Sequence, residues 1–143
     1  MKKIINAVII LLVIAGGNAW GGYNEIKELK VEVIVSPDIK NISRTEIKEE
    51  ATSMVQNRLP EVTISKGAPD HFIEIIIGGF EKPSNTLAFV FIRLTGSGED
   101  AVDSFTKVYF QKWRYFKGDI EKVKRSISGF IEEYIVVLSK KWQ

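Results

Sequence analysis

The chain has 143 residues, 45% hydrophobic and 27% charged, with 20 lysines and arginines, 18 acidic residues, one histidine and no cysteine. That length suits one domain with a single core. The lack of cysteine excludes disulfides, thiol catalysis and the usual thiolate zinc sites.

Met1-Lys2-Lys3 opens positive, Ile4 to Ala15 is aliphatic apart from Asn6, and Gly16-Gly17-Asn18-Ala19 is small and turn-forming. This is the order of an export signal, with the cut expected after Ala19. The apolar stretch is short for a bilayer span, which takes about 20 residues. Residues 1–19 are therefore read as a signal peptide, 20–28 as a loose lead-in and 29–143 as a single domain. The mature chain is expected in a bacterial periplasm or secreted. A lipoprotein would need a cysteine near the cut, so no lipid tether is expected. Lys2 and Lys3 leave with the leader, and the mature part then carries 18 basic and 18 acidic side chains. Such a balance gives little pull toward nucleic acid or anionic lipid.

Leu29 to Val35 alternates, with Leu29, Val31, Val33 and Val35 on one face of a strand. Ser43 and Glu46 form a capping box, flanked by Ile42 and Ile47 as a hydrophobic staple. Ile47, Ala51, Met54, Val55 and Leu59 fall on one helical face, and Pro60 stops the helix. Val62 to Ile64 is a short strand, which makes a parallel crossover of the first three elements. His71 to Ile77 and Leu87 to Leu94 are nearly continuous apolar runs, and Asp103 to Lys112 alternates. Turns at Lys82 to Asn85 and Thr95 to Asp100 join these segments into an antiparallel meander. Asp119 caps a last helix whose apolar positions run from Ile120 to Leu138. The expected fold is α+β: a two-layer sandwich, a mixed sheet of about five strands with two helices on one face, in the order β-α-β-β-β-β-α. Neither central apolar run has enough polar positions for a sheet face in water. Either that second face is covered, or the chain associates through it.

No catalytic constellation stands out. His71 is the sole histidine, and no serine lies in a G-x-S-x-G elbow. Gly78-Gly79 and Gly96-Ser97-Gly98 precede no helix, so turn geometry accounts for them better than anion binding. Glu46, Glu49 and Glu50 suit the helix dipole at its start. No metal site or cofactor is expected. The remaining candidate is aromatic and basic: Tyr109, Lys112, Trp113, Arg114, Tyr115 and Phe116, a mixture found at interface anchors and also in core-covering strand ends.

Lys30 to Val35, the helix after Ser43, and Ala68-Pro69-Asp70-His71-Phe72 resemble the amino-terminal domain of the translocation protein TolB and related small periplasmic and lipoprotein domains. The resemblance implies a non-enzymatic adaptor of envelope assembly or transport, and no catalytic residues. The expected function is thus an exported interaction protein, with an envelope protein or a second copy as partner. The alternatives are an exported carboxylate-based hydrolase, a carbohydrate-binding protein and a carrier of a small apolar ligand.

Overall fold

The computed structural model describes residues 23–97 and 106–142. The expected leader and its cut after Ala19, the end of the turn expected at Thr95 to Asp100 and the start of the strand expected from Asp103 lie outside the described residues. The elements are β1 (Glu28–Val35), α1 (Arg44–Arg58), β2 (Thr63–Ile64), β3 (His71–Phe80), β4 (Thr86–Ser97), β5 (Thr106–Gly118) and α2 (Ile120–Trp142). The strands form one mixed sheet in the order β2-β1-β3-β4-β5. β1 pairs in parallel with β2 and β3, while β3, β4 and β5 pair antiparallel. Both helices pack on one face, as the α+β reading expects.

Successive strand side chains point to opposite faces, so one register defines the core. Leu29, Val31 and Val33 of β1 lie beside Ile73, Ile75 and Ile77 of β3, and beyond them Ala88, Val90, Ile92 and Leu94 of β4; all are buried. Over them sit Ile47, Ala51, Val55 and Leu59 from the first helix segment and Val123, Ile127, Phe130, Ile131, Tyr134 and Leu138 from α2. In the apolar end of α2, Ile135 and Leu138 are buried and Val136 and Val137 are half-buried.

Local chemistry fixes the helix ends. Ser43 is extended (φ −83°, ψ 120°), and its Oγ accepts from the Glu46 amide at 3.2 Å. Ile42 and Ile47 are both buried beside this cap, the staple the spacing suggests. Asp119 Oδ1 accepts from the Lys122 amide at 2.9 Å and starts α2. Ser43→Ala should lower stability by about 1 kcal/mol; an unchanged urea midpoint would count against that role.

Four sequence expectations are corrected. Gly78 and Gly79 lie within β3, which runs on to Phe80, rather than in a turn. The segment before Glu28 is not loose from Tyr23 onward. Tyr23 to Glu25 form a 3-10 turn, and Tyr23 and Ile26 are buried. The Tyr23 hydroxyl donates to the Tyr109 carbonyl at 2.7 Å, and its ring meets Tyr109 and Trp142 edge-on. Its aromatic area closes the end of the core, which polar neighbours in the sequence conceal. Next, Thr95, Gly96 and Ser97 belong to β4 rather than to a turn. Finally, β5 continues past Lys112 to Gly118. The full length of β4 gives each added β5 residue a backbone partner.

Candidate functional site: the uncovered sheet face

β5 carries the aromatic-basic stretch, and its alternation divides the six candidates between two faces. Phe110 stacks on Tyr134 of α2 with ring centroids 4.8 Å apart, and Phe116 meets Phe130 edge-on at 6.0 Å. Even-numbered positions from 110 to 116 therefore face the helix layer. Lys112 lies there, its ammonium 6.0 Å from the Phe110 ring. Arg114 pairs with Glu133 of α2 at 3.0 Å and lies 4.9 Å from the Phe130 ring. Arg114 and Phe116 thus hold the last helix against the sheet, and the Lys112 stem covers Phe110.

Tyr109 is also structural. The pairing of β4 with β5 shifts register between Leu94 and Thr95, and Tyr109 is the extra residue. Its ring contacts Tyr23 and His71, and the Lys107 ammonium sits 4.7 Å from it. Burial pushes the His71 pKa down, Asp70 opposes that, and Lys107 reinforces it. A Cβ on Gly96 would come within 2.8 Å of the His71 ring, so glycine there makes room for His71 and Tyr109.

Trp113 and Tyr115 take the odd positions and project from the other side. They are 61% and 59% exposed, and Phe89, Phe80 and Ile34 are 48%, 47% and 56% exposed. The register assembles these residues. Ile34, Ile76, Phe91 and Trp113 are successive partners across β1, β3, β4 and β5. The next row toward the β3–β4 turn is Gly78, Phe89 and Tyr115, and the one after is Phe80, Leu87 and Lys117. Phe89 and Tyr115 rings are 6.1 Å apart. On the other side of the apolar rows lies a polar one: Glu32, Glu74, Arg93 and Gln111. Arg93 Nε donates to Glu74 Oε1 at 3.1 Å, as does the Thr95 hydroxyl. Lys30 pairs with Glu32 at 3.1 Å.

Such a face is unusual. An antiparallel sheet with one side in water normally shows polar residues there. Five large side chains at about half exposure present roughly 500 Å² of apolar surface, given ~150–250 Å² for a whole aromatic. That equals the largest patch on an ordinary monomer, which is itself commonly functional. The mixture of aromatic and basic residues singled out Trp113 and Tyr115 but missed Ile34, Phe80 and Phe89. The signal for those three was the surplus of apolar residues in the central strands.

The acidic residues are used elsewhere. Glu50 accepts from Ser128 of α2 at 3.2 Å and ties the helices together, while Glu46 lies in the first turn of α1. Among the described residues no group of three or more His, Asp or Glu side chains is placed to hold a metal ion. No described helix is long and apolar enough to cross a membrane. A surface hollow on α1 is lined by Arg44, Lys48, Glu49 and Gln56, and another by Glu25, Glu28, Asp70 and His71. Between the sheet and the helices lie the buried side chains of the core.

No family model and no curated protein sequence matches the chain. Some solved structures share part of its arrangement. An uncharacterized protein aligns over 82% of this chain and 92% of its own, at 7% identity and a TM-score of 0.49. A PelC dodecamer from Paraburkholderia phytofirmans covers 82% of this chain and 86% of its own, at 11% identity and a TM-score of 0.42. Rare lipoprotein B from Shewanella oneidensis covers 79% and 89%, at 15% identity and a TM-score of 0.28. Bacterial lipoproteins are thus among the similar structures. Scores this low carry no argument about function, and they leave the likeness to the TolB amino-terminal domain at the level of a general α+β arrangement.

Proposed function

We propose that the chain is an exported, non-enzymatic interaction protein of the bacterial cell envelope, an adaptor that docks on a protein surface through its uncovered sheet face. The observation that carries this reading is the block of Ile34, Phe80, Phe89, Trp113 and Tyr115, all well exposed on one face of a sheet. An apolar, aromatic centre beside a polar row is the anatomy of a protein interface. Trp and Tyr, here Trp113 and Tyr115, are among the side chains that most often dominate binding energy at such interfaces. A sugar platform would also use Trp113 and Tyr115. The aliphatic and phenylalanine neighbours favour a protein partner, because they offer a sugar no hydrogen bonds. The leader supports export.

The test is a double substitution, Phe89→Ser with Trp113→Ser, in the chain as exported by a bacterial host. Both sites are exposed, so the folded domain should survive with its thermal midpoint nearly unchanged. On native gels of envelope extracts, the wild-type protein should migrate in a complex and the variant as a free chain. Identical migration of the two would refute the reading.

A further inference from the structure

We infer that the occupant of this face is a second copy of the same chain, stacked sheet on sheet about a two-fold axis. The inference rests on the docking reading above and adds the identity of the partner. Consider an axis running along the strands, midway between the two sheets and over the seam of β3 and β4. It lays β3 of one copy over β4 of the other, and β1 over β5, without shifting the rows. The pairs that then face each other follow from the register. Glu74 opposes Arg93, Ile76 opposes Phe91, Gly78 opposes Phe89 and Phe80 opposes Leu87. At the flank, Ile34 opposes Trp113.

Each match is complementary. Glu74 and Arg93 already pair within a copy at 3.1 Å. Stacking two such pairs in reverse order makes a square of alternating charge, in which neither carboxylate meets another. Charge order of this kind selects a partner and fixes its register. Gly78 has no side chain, and a Cβ built on it meets nothing within 4 Å. It leaves a notch where the facing copy presents Phe89. The surface is also of the right size. The exposed apolar residues with the half-buried Phe72, Ile76, Leu87 and Phe91 approach the ~800 Å² per partner of a standard interface. Two sheets packed this way stand about 10 Å apart with strand directions about 30° apart. The outer rows shift under that rotation, and the central pairs, nearest the axis, keep their facing order.

Sedimentation velocity on the chain as exported and processed by a bacterial host tests this, with three variants. Gly78→Gln adds a side chain into open space within one copy and fills the notch for Phe89. It should keep the fold and raise the dimer dissociation constant at least ~100-fold. Arg93→Glu puts four carboxylates together and should leave only monomer. Glu74→Arg combined with Arg93→Glu restores alternation and should restore the dimer. A wild-type chain that stays monomeric at about 100 µM, a concentration that would populate even a weak dimer, overturns the inference. So does a dimer that both Gly78→Gln and Arg93→Glu leave intact. If the wild type is monomeric yet its envelope complex is lost with Phe89→Ser and Trp113→Ser, the self-partner falls and the docking reading stands.

Discussion

Gly79→Ala should destabilise the protein by about 3 kcal/mol or more, while Gly78→Ala one residue earlier should cost nothing. Gly79 has φ +125°, a conformation that side-chain-bearing residues rarely adopt. A Cβ there would stand 2.0 Å from the Leu87 carbonyl oxygen and 2.9 Å from its carbon. The obstacle is the backbone of β4, which is held by its pairing with β3 and β5 and cannot yield. Gly78 has neither constraint, and alanine suits a strand better than glycine does. Urea midpoints of the two variants make the comparison. Equal midpoints would show that the end of the β3–β4 hairpin is not built as described.

Tyr134→Ala should cost about 3–5 kcal/mol, and Tyr134→Phe about 1–2 kcal/mol with a change in alkaline behaviour. Tyr134 is completely buried, stacks on Phe110 and donates its hydroxyl to the Phe110 carbonyl at 2.7 Å. Alanine would open a cavity where α2 meets β5, whereas phenylalanine removes only the hydrogen bond. Burial, with Tyr23 adding to it, pushes the Tyr134 pKa well above its ordinary value. The folded state therefore retains a proton that the unfolded chain releases. The stability linked to that proton is complete below about pH 10, the ordinary phenol value, and declines as the pH rises above it. Tyr23 shifts the same way, through burial first and Tyr109 second. Unfolding midpoints measured from pH 7 to pH 11 should fall less steeply above pH 10 for Tyr134→Phe than for the wild type. Parallel curves would mean that this phenol does not carry the alkaline loss.

Much of the fold could be read from local chemistry. The capping box at Ser43, the Asp119 cap and the alternation of β1 each report a backbone state through side chains next to it in sequence. The order of elements followed from these marks. The candidate face was harder, and the reason is specific. In β3 and β4 both faces are apolar, so Ile73, Ile75 and Ile77 cannot be told from Phe72 and Ile76 by period alone. Pairing with β1, whose outward positions include Lys30 and Glu32, assigns the sides and sets Glu74 and Arg93 in the same outward row. In β5 the sequence offers Lys112, Trp113, Arg114 and Tyr115 as parts of one candidate patch, and the pairing splits it. Lys112 and Arg114 lie on the helix side, with their charges at its margin and their stems over aromatic rings. Trp113 and Tyr115 point outward, where a partner surface would account for them.

The partition of β5 also ties stability to docking. The strand holds α2 through Phe110, Arg114 and Phe116 on one side and presents Trp113 and Tyr115 on the other. Substitutions at Phe110, Arg114 and Phe116 should therefore lower stability, and those at Trp113 and Tyr115 should weaken association with little loss of stability.

Hydroxyl-radical footprinting of the chain in the intact envelope, compared with the same chain purified and highly diluted, addresses the outer face itself. Trp113, Tyr115, Phe89 and Phe80 should be protected several-fold in the envelope and labelled freely after dilution, while the exposed side of α1 reacts alike in both. Equal labelling of those four rings in the two states would contradict an interface on this face.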